Sequence, residues 1–374
     1  MTLRLRWAAV GGLLGAMLPA LALAADACPD ANADRLDRYR AGPACWPAIQ
    51  VDASVDARPL GPLPPTPKVD RALRDLGETL FFDPRLSGSG QIACASCHDP
   101  EWGWADGRQV PYGHDRQRGR RNTPSVANAA FQQAQFWDGR AATLREQVLM
   151  PIANPEEMHG TPDGAVASIN AVPGYAPLVR DAFGEATLNP ERLADALAAY
   201  LTTVVTGPTR FDLFYGGDAD ALSEAEIRGL DLFRTSAGCM NCHHGPLFTD
   251  GQFHNLGLHF YGRKNEDQGR YAATGRKQDM GAFKTPGLRN VMATAPWMHN
   301  GKFTKMHGIL SLYNAGGVHP RPKGAEQDDP LFPVTSPLLK PLRLSQTDLA
   351  DLEAFLHSLD NQKTPYFKIP DLPR

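Results

Sequence analysis

Apolar residues recur every three or four positions in three stretches of the chain, and this spacing is typical of amphipathic helices. The stretches are residues 69–82, 223–233 and 345–359. In the second, Ser223 and Glu226 form a capping-box pattern before an apolar stripe. A fourth stretch, residues 190–205, is rich in strong helix formers. The pattern therefore predicts a mainly α chain, in which 32 prolines and 35 glycines indicate extensive loops between short helices.

Two of these predicted helices each lead through a short loop into a Cys-x-x-Cys-His motif. The first motif is residues 94–98 and the second is residues 239–243. Two thiols at this spacing can form thioethers with the two vinyl groups of one porphyrin, and the following histidine can then bind the iron. A redox dithiol or half of a zinc site is the alternative for a single motif. Two complete copies favour two cytochrome c-like domains.

The motifs assign six residues to two covalent haem c groups. Cys94 and Cys97 attach the first haem, and His98 is its proximal iron ligand. In the second motif, the attaching residues are Cys239 and Cys242, and the iron ligand is His243.

The beginning of the chain predicts export. Arg4 and Arg6 precede an apolar run over residues 7–23, and Ala-Leu-Ala at residues 22–24 is a small-residue cleavage site. An uncleaved anchor helix is the alternative, but the run is short for a membrane span. We therefore interpret residues 1–24 as a signal peptide and expect a periplasmic protein with no membrane span. The net charge of −3 does not indicate a nucleic-acid partner.

The remaining chain divides into three predicted parts. Residues 25–68 form an N-terminal extension in which Cys28 and Cys45 can pair as a disulfide, since export places them in an oxidising compartment. Residues 69–215 form the first haem domain and residues 216–374 the second. A monomer and a homodimer are both compatible with this sequence.

Several motifs outside the haem-attachment sites resemble the bacterial di-haem cytochrome c peroxidase and MauG family. They lie in family order between residues 69 and 360. They are Gly-His at 113–114, Arg-Asn-Thr-Pro-Ser-Val at 121–126, Gln-Phe-Trp-Asp-Gly-Arg-Ala at 135–141, Thr-Pro-Gly-Leu-Arg-Asn-Val at 285–291 and Thr-Ala-Pro-Trp-Met-His-Asn-Gly at 294–301. The resemblance implies that the first domain reacts with hydrogen peroxide and that the second transfers electrons.

The resemblance also implies roles around the first haem. His114 matches a displaceable distal iron ligand, and Glu157 matches the carboxylate that moves a proton between the peroxide oxygens. Gln147 and Pro151 match residues that shape the pocket, and Trp137 matches a tryptophan between the two haems. Composition alone favours a surface histidine, a solvated glutamate and a tryptophan packed in the core.

Around the second haem, the resemblance implies Tyr313 as the distal iron ligand, as in MauG proteins. Peroxidases of the family have methionine at this place, and four methionines remain alternatives here: Met280, Met292, Met298 and Met306. A calcium ion is implied between the domains, bound by the Asn122 side chain and the carbonyls of Thr294 and Pro296. Oxygen ligands suit calcium. The sequence alone identifies these three as turn residues.

Three functions follow as hypotheses. The first is a periplasmic peroxidase that reduces hydrogen peroxide with electrons from a small redox protein, either a cytochrome c or a cupredoxin. The second is a MauG-like enzyme that uses peroxide to oxidise aromatic residues of a partner protein. The third is a non-catalytic di-haem electron carrier. His114 favours the first hypothesis, Tyr313 favours the second, and Glu157 argues against the third.

Overall fold

The computed structural model of the chain describes residues 28–361 and 367–374. The predicted signal peptide lies outside these residues. Within them, the α-helices are α1 Arg35–Arg40, α2 Arg71–Phe81, α3 Leu144–Gln147, α4 Met150–Ala153, α5 Pro162–Asn170, α6 Tyr175–Phe183, α7 Pro190–Thr203, α8 Arg210–Tyr215, α9 Glu224–Arg234, α10 Tyr271–Thr274, α11 Met306–Asn314 and α12 Gln346–His357. The strands β1 Phe253–His254 and β2 Phe283–Lys284 pair antiparallel. The prediction of a mainly α fold with long loops is confirmed.

The first hydrophobic core forms where α2 crosses α7. The Asp70 side chain caps α2 by accepting a hydrogen bond from the Leu73 amide at 3.0 Å, and Asn189 caps α7 in the same way. Leu76 and Leu80 of α2 are fully buried in this core. The two helices approach closely because Gly77 has no side chain, and a Cβ there would lie 1.9 Å from the Ala196 carbonyl oxygen.

The second core repeats this design with α9 and α12. Ser223 and Ser345 each form a capping box with the third residue of the helix that follows. At the crossing of the helices, a Cβ on Gly229 would lie 2.0 Å from the Asp351 carbonyl oxygen. Both haem motifs therefore follow a helix that crosses a later helix at a glycine, as two related modules would.

The hydrophobic cores divide the chain differently from the predicted domain boundaries. The helix α8 ends at Tyr215, yet its Phe211 and Phe214 belong to the second core. Near the other end of the chain, Phe367 stacks on Phe82 of the first core with ring centroids 5.1 Å apart. The chain thus crosses between the two halves more than once.

The N-terminal extension packs on the second half of the molecule. A disulfide joins Cys28 to Cys45, with Cα atoms 5.2 Å apart. Tyr39 and Leu60 are buried in the second core, although the first haem domain follows the extension directly in sequence. No helix among the described residues is long and apolar enough to cross a bilayer.

The two halves meet through an ion-pair cluster and a close backbone contact. Arg121 of the first half binds Asp267 of the second through Nε and Nη2, both at 2.7 Å, and binds Asp138 through Nη1 at 2.6 Å. Gly301 has a positive φ of 59°, and a Cβ there would lie 2.0 Å from the Gln109 carbonyl oxygen. Only glycine satisfies both conditions without displacing the facing loop.

Candidate di-haem site

The two Cys-x-x-Cys-His motifs adopt the same local structure. Each begins with a short 3₁₀ helix, Cys94–Ser96 or Cys239–Asn241. The backbone then turns so that the His98 amide donates to the Cys94 carbonyl at 3.0 Å and the His243 amide donates to the Cys239 carbonyl at 2.8 Å. This turn places the histidine and both thiols of a motif in the wall of one cavity.

A backbone carbonyl orients each motif histidine. His98 Nδ1 lies 3.2 Å from the Trp104 carbonyl oxygen, and His243 Nδ1 lies 2.9 Å from the Phe248 carbonyl oxygen. A carbonyl can only accept, so Nδ1 carries the proton and Nε2 keeps its lone pair for a metal. Burial lowers the pKa of both imidazoles, which favours the neutral, metal-binding form.

The two motifs line a single cavity with a volume of about 560 Å³. The four motif cysteines form no disulfide with the described residues, and all four line this cavity. Two thiols beside a histidine whose Nδ1 is held by a backbone carbonyl fit covalent haem at each motif. Haem bound there would supply redox-active iron with one face held by His98 or His243.

The residues matched to peroxide chemistry line the same cavity. Gln147 ends α3, Pro151 lies in the first turn of α4, and Glu157 follows in the next loop. The Asn154 amide donates to the Glu157 carboxylate at 2.9 Å. Burial raises the pKa of Glu157, while the Arg140 charge and the Asn154 hydrogen bond act against this shift. A carboxyl with a raised pKa holds a proton more readily than an exposed glutamate does, which suits it to proton transfer.

His114 is the one predicted site residue that does not line the cavity. Its ring stacks on His159 with centroids 4.2 Å apart, and its Nε2 lies 3.3 Å from the Asp115 carboxylate. The His114 amide donates to the Glu157 carbonyl at 2.8 Å, so the histidine's backbone is fixed beside the pocket while its ring points elsewhere. The role of His114 as a displaceable iron ligand stays a prediction.

Trp137 lines the cavity between the two halves. Its indole Nε1 donates to the Asn122 carbonyl at 2.9 Å, and its ring meets the His299 ring edge-on at 6.4 Å. The Asn122 backbone amide in turn donates to the His299 backbone carbonyl at 2.8 Å. Trp137 is thus held in one orientation by residues from both halves of the chain.

Tyr313 lies on the face of α11 that lines the cavity. Met306, Ile309, Leu310 and Tyr313 recur at helical spacing and all line it. Of the four methionine alternatives, Met298 and Met306 line the cavity, whereas Met280 and Met292 do not. Met306 and Tyr313 are seven residues apart, about 10 Å along the helix, so at most one of them can lie opposite His243. Burial raises the pKa of the Tyr313 phenol.

The three predicted calcium ligands also line the cavity. The Asn122 side-chain amide donates to the Arg108 carbonyl at 2.8 Å, so the side-chain oxygen Oδ1 points away from the loop that contains Arg108. The Thr294 hydroxyl donates to the Val291 carbonyl at 2.9 Å. These contacts leave oxygen atoms available from both halves, and oxygen donors fit calcium.

Some residues of the cavity wall were not predicted from the sequence. Arg58 comes from the N-terminal extension, and Lys284 comes from β2. Arg289 is fully buried and binds both carboxylate oxygens of Asp212 at 2.8 Å. Arg289 lies in the motif at residues 285–291 that resembles the family, and Lys284 directly precedes it, so this motif was the sequence feature that could have indicated both residues. Nothing in the sequence near Arg58 indicates that the extension reaches this cavity.

Two haem-attachment motifs on one cavity, in a mainly α fold, define a di-haem c-type cytochrome. A family model described as di-haem cytochrome c peroxidase matches residues 71–220. The methylamine utilization protein MauG of Methylorubrum extorquens is 39% identical over 301 residues, which cover 80% of each chain. The cytochrome c551 peroxidase of Nitrosomonas europaea is 35% identical over 316 residues, which cover 84% of this chain and 87% of the relative.

Solved structures give the same result. A MauG-like protein associated with microbial copper homeostasis is 31% identical, with a TM-score of 0.72 over 84% of this chain and 97% of that one. The di-haem peroxidase BthA of Burkholderia thailandensis is 27% identical, with a TM-score of 0.67 over 84% of this chain and 94% of that one. The chain belongs to the di-haem cytochrome c peroxidase and MauG family. It is therefore a peroxidase-type oxidoreductase of a family that carries two c-type haems.

Proposed function

We propose that this chain is a periplasmic peroxidase that reduces hydrogen peroxide to water with electrons from a small redox protein. The observation that carries the proposal is a difference between the two motif sites. A half-buried carboxylate, Glu157, lines the first site together with Gln147 and Pro151. The carboxylate beside the second motif, Asp250, is instead held by His254 Nε2 at 2.7 Å, and this site faces the apolar side of α11 and Tyr313. Proton transfer therefore belongs to the first site and electron entry to the second.

Glu157 is the proton-transfer group in this proposal. Reduction of one peroxide consumes two electrons and two protons and yields two waters. With haem bound at the first motif, the Glu157 carboxylate would accept a proton from one peroxide oxygen and return it to the other, leaving oxygen. Asn154 holds the carboxylate in place for both steps. Trp137 lies between the sites and offers a route for electrons, since its indole is fixed by the Asn122 carbonyl.

The remaining parts of the proposal follow the sequence. The predicted signal peptide and the haem-attachment motifs support a periplasmic location. Calcium bound by Asn122, Thr294 and Pro296 would join the two halves beside Trp137, because these ligands come from both of them. The electron donor would be a small cytochrome c or cupredoxin.

The test is peroxide turnover by the mature, haem-loaded protein with a reduced cytochrome c or cupredoxin as donor. We expect Glu157→Gln to lower kcat/KM for peroxide by about 10²- to 10⁴-fold, the usual contribution of a general acid–base group. Glu156→Gln is the matched control, since it removes the same charge one residue away, and we expect it to retain activity. Full activity in Glu157→Gln, or equal losses in both variants, would contradict the assignment.

The pH profile gives an independent check on Glu157. Because burial raises its pKa, the active carboxylate form is lost as the pH falls through a value above the usual range for glutamate. Wild-type kcat/KM should therefore fall on the acid side at a higher pH than an exposed carboxylate would give. In Glu157→Gln this acid limb should be absent.

Tyr313 supports a second candidate, a MauG-like oxidation of aromatic residues on a partner protein. Tyr313 lines the cavity at the second motif, where the resemblance to MauG proteins implies a tyrosine. The candidates differ in what peroxide does without a donor. A long-lived change in the absorption spectrum after one equivalent of peroxide, with no turnover on cytochrome c or cupredoxin, would favour the MauG-like function. Rapid turnover with a redox-protein donor would favour the peroxidase.

A further inference from the structure

The cations that line the di-haem cavity differ in whether a protein carboxylate neutralises them. Five of them are arginines or lysines, namely Arg58, Arg121, Lys284, Arg289 and Lys340, and His254, whose pKa the Asp250 carboxylate helps to raise to about 10, is paired with that carboxylate. Arg121, Arg289 and Lys340 form ion pairs with aspartates. Arg58 and Lys284 form none with the carboxylates of the described residues. Arg58 is exposed, so water solvates its charge.

Lys284 is therefore the cation whose charge the protein leaves unbalanced. Its Nζ donates to the Ala134 carbonyl at 2.7 Å and to the Gln132 side-chain oxygen, and both acceptors are neutral. Asp138 is the one carboxylate whose charge raises the pKa of Lys284, but Arg121 and Arg140 already bind it. An ammonium group has three donors, so one remains for a ligand in the cavity. Burial lowers the pKa of Lys284 to about 8, the penalty expected for a cation without an anionic partner.

The position of Lys284 connects it to the second motif. Its amide donates to the Trp137 carbonyl at 2.8 Å, which places β2 beside the inter-motif tryptophan. The next residue, Thr285, accepts a hydrogen bond at 2.7 Å from the Thr249 hydroxyl. Thr249 follows Phe248, whose carbonyl orients His243. Lys284 thus belongs to the chain segment that encloses the second haem site, on the side that faces Trp137.

We propose that Lys284 binds a propionate of the haem at the second motif and so raises the reduction potential of that haem. A haem carries two carboxylates, and a c-type haem is fixed at its vinyl edge by the motif cysteines, so the propionate edge must find partners elsewhere in the cavity. A carboxylate at the free donor of Lys284 would form a charge-assisted hydrogen bond in a partly desolvated setting. The positive charge of Lys284 disfavours the ferric haem, which carries one more positive charge than the ferrous haem, and so raises the reduction potential.

The test is spectroelectrochemical titration of the mature di-haem protein, which gives a midpoint potential for each haem. We expect Lys284→Gln to lower the midpoint potential of the second haem and Lys284→Arg to keep it near the wild-type value. The matched control is Lys340→Gln, the same charge change at an exposed, ion-paired position. Its shift should be smaller and should vanish in about 1 M salt, where the Debye length is about 3 Å. The Lys284→Gln shift should persist there.

Three outcomes would overturn the proposal. The first is a wild-type midpoint potential in Lys284→Gln, and the second is a shift confined to the first haem. The third uses no charge-removing variant and so applies even if Lys284→Gln does not mature. With a propionate partner, Lys284 stays protonated through pH 8, so the wild-type and Lys284→Arg potentials should follow the same course between about pH 7 and 9. A step near pH 8 in wild type that Lys284→Arg lacks would show that the amine has no anionic partner. These measurements need bound haem but no peroxide turnover, so they are independent of the proposed function.

Discussion

Arg121 joins the two halves of the molecule, and its removal should destabilise the contact between them. Its guanidinium makes three hydrogen bonds to two aspartates, and its side chain is 20% exposed, while those of Asp138 and Asp267 are 7% and 18% exposed. Arg121→Gln keeps a polar side chain but leaves Asp267 without its cation, whereas Asp138 keeps Arg140. Breaking a buried ion pair in this way costs about 3 to 5 kcal/mol.

The assay is urea unfolding of the haem-loaded protein, followed at the haem absorption band. With a denaturant slope of about 3 kcal/mol per molar urea, the loss corresponds to a midpoint lower by about 1 to 1.7 M. Arg145→Gln is the matched control, because Arg145 also binds an aspartate, Asp195, but at an exposed site. Its midpoint should stay within experimental error of wild type.

The pH dependence of the Arg121 effect tests its electrostatic origin. Burial raises the pKa of Asp267, but the hydrogen bond and charge of Arg121 lower it more, so the net shift is downward. A carboxylate with a lowered pKa stabilises the fold above its unfolded pKa of about 3.9, and this contribution is lost as the pH falls through the lower folded pKa. The difference between wild type and Arg121→Gln should therefore be complete at pH 7 and shrink below about pH 4. Equal midpoints for Arg121→Gln and Arg145→Gln at pH 7 would refute the reasoning.

Three further predictions concern the haem environment. Tyr313→Phe should change the EPR spectrum of the second ferric haem while Met306→Leu does not, and the reverse result would make the methionine the ligand. His159→Ala removes the ring on which His114 stacks at 4.2 Å, so His114 should bind the first iron more often and slow its reaction with peroxide in stopped-flow measurements. An unchanged rate would show that the stack does not keep His114 from the iron. Calcium chelation should lower the thermal unfolding temperature of wild type but not of Asn122→Ala. An equal response in both would show that Asn122 is not a calcium ligand.

The amino-acid sequence by itself determined the features that depend on local spacing. The Cys-x-x-Cys-His motifs at residues 94–98 and 239–243 specify haem attachment because the chemistry needs neighbouring atoms on one short turn. The helices over residues 71–81 and 224–234 follow from apolar periodicity and from capping residues within the same few positions. The residues Tyr313 and Glu157 came from resemblance to a family, since no spacing rule distinguishes them from an ordinary tyrosine and a solvated glutamate.

The tertiary structure alone decided which distant residues meet. It brings Arg58 of the extension and Lys284 of β2 to one cavity, and it places the His114 ring on His159 outside that cavity. It also assigns α8 to the second core, across the boundary that the sequence suggested. Several of these contacts join segments more than a hundred residues apart, such as Arg58 with Thr249 and Lys284 with Ala134. Local propensities carry no information about such pairs, because the contacts between them stabilise the protein only once the whole chain has folded.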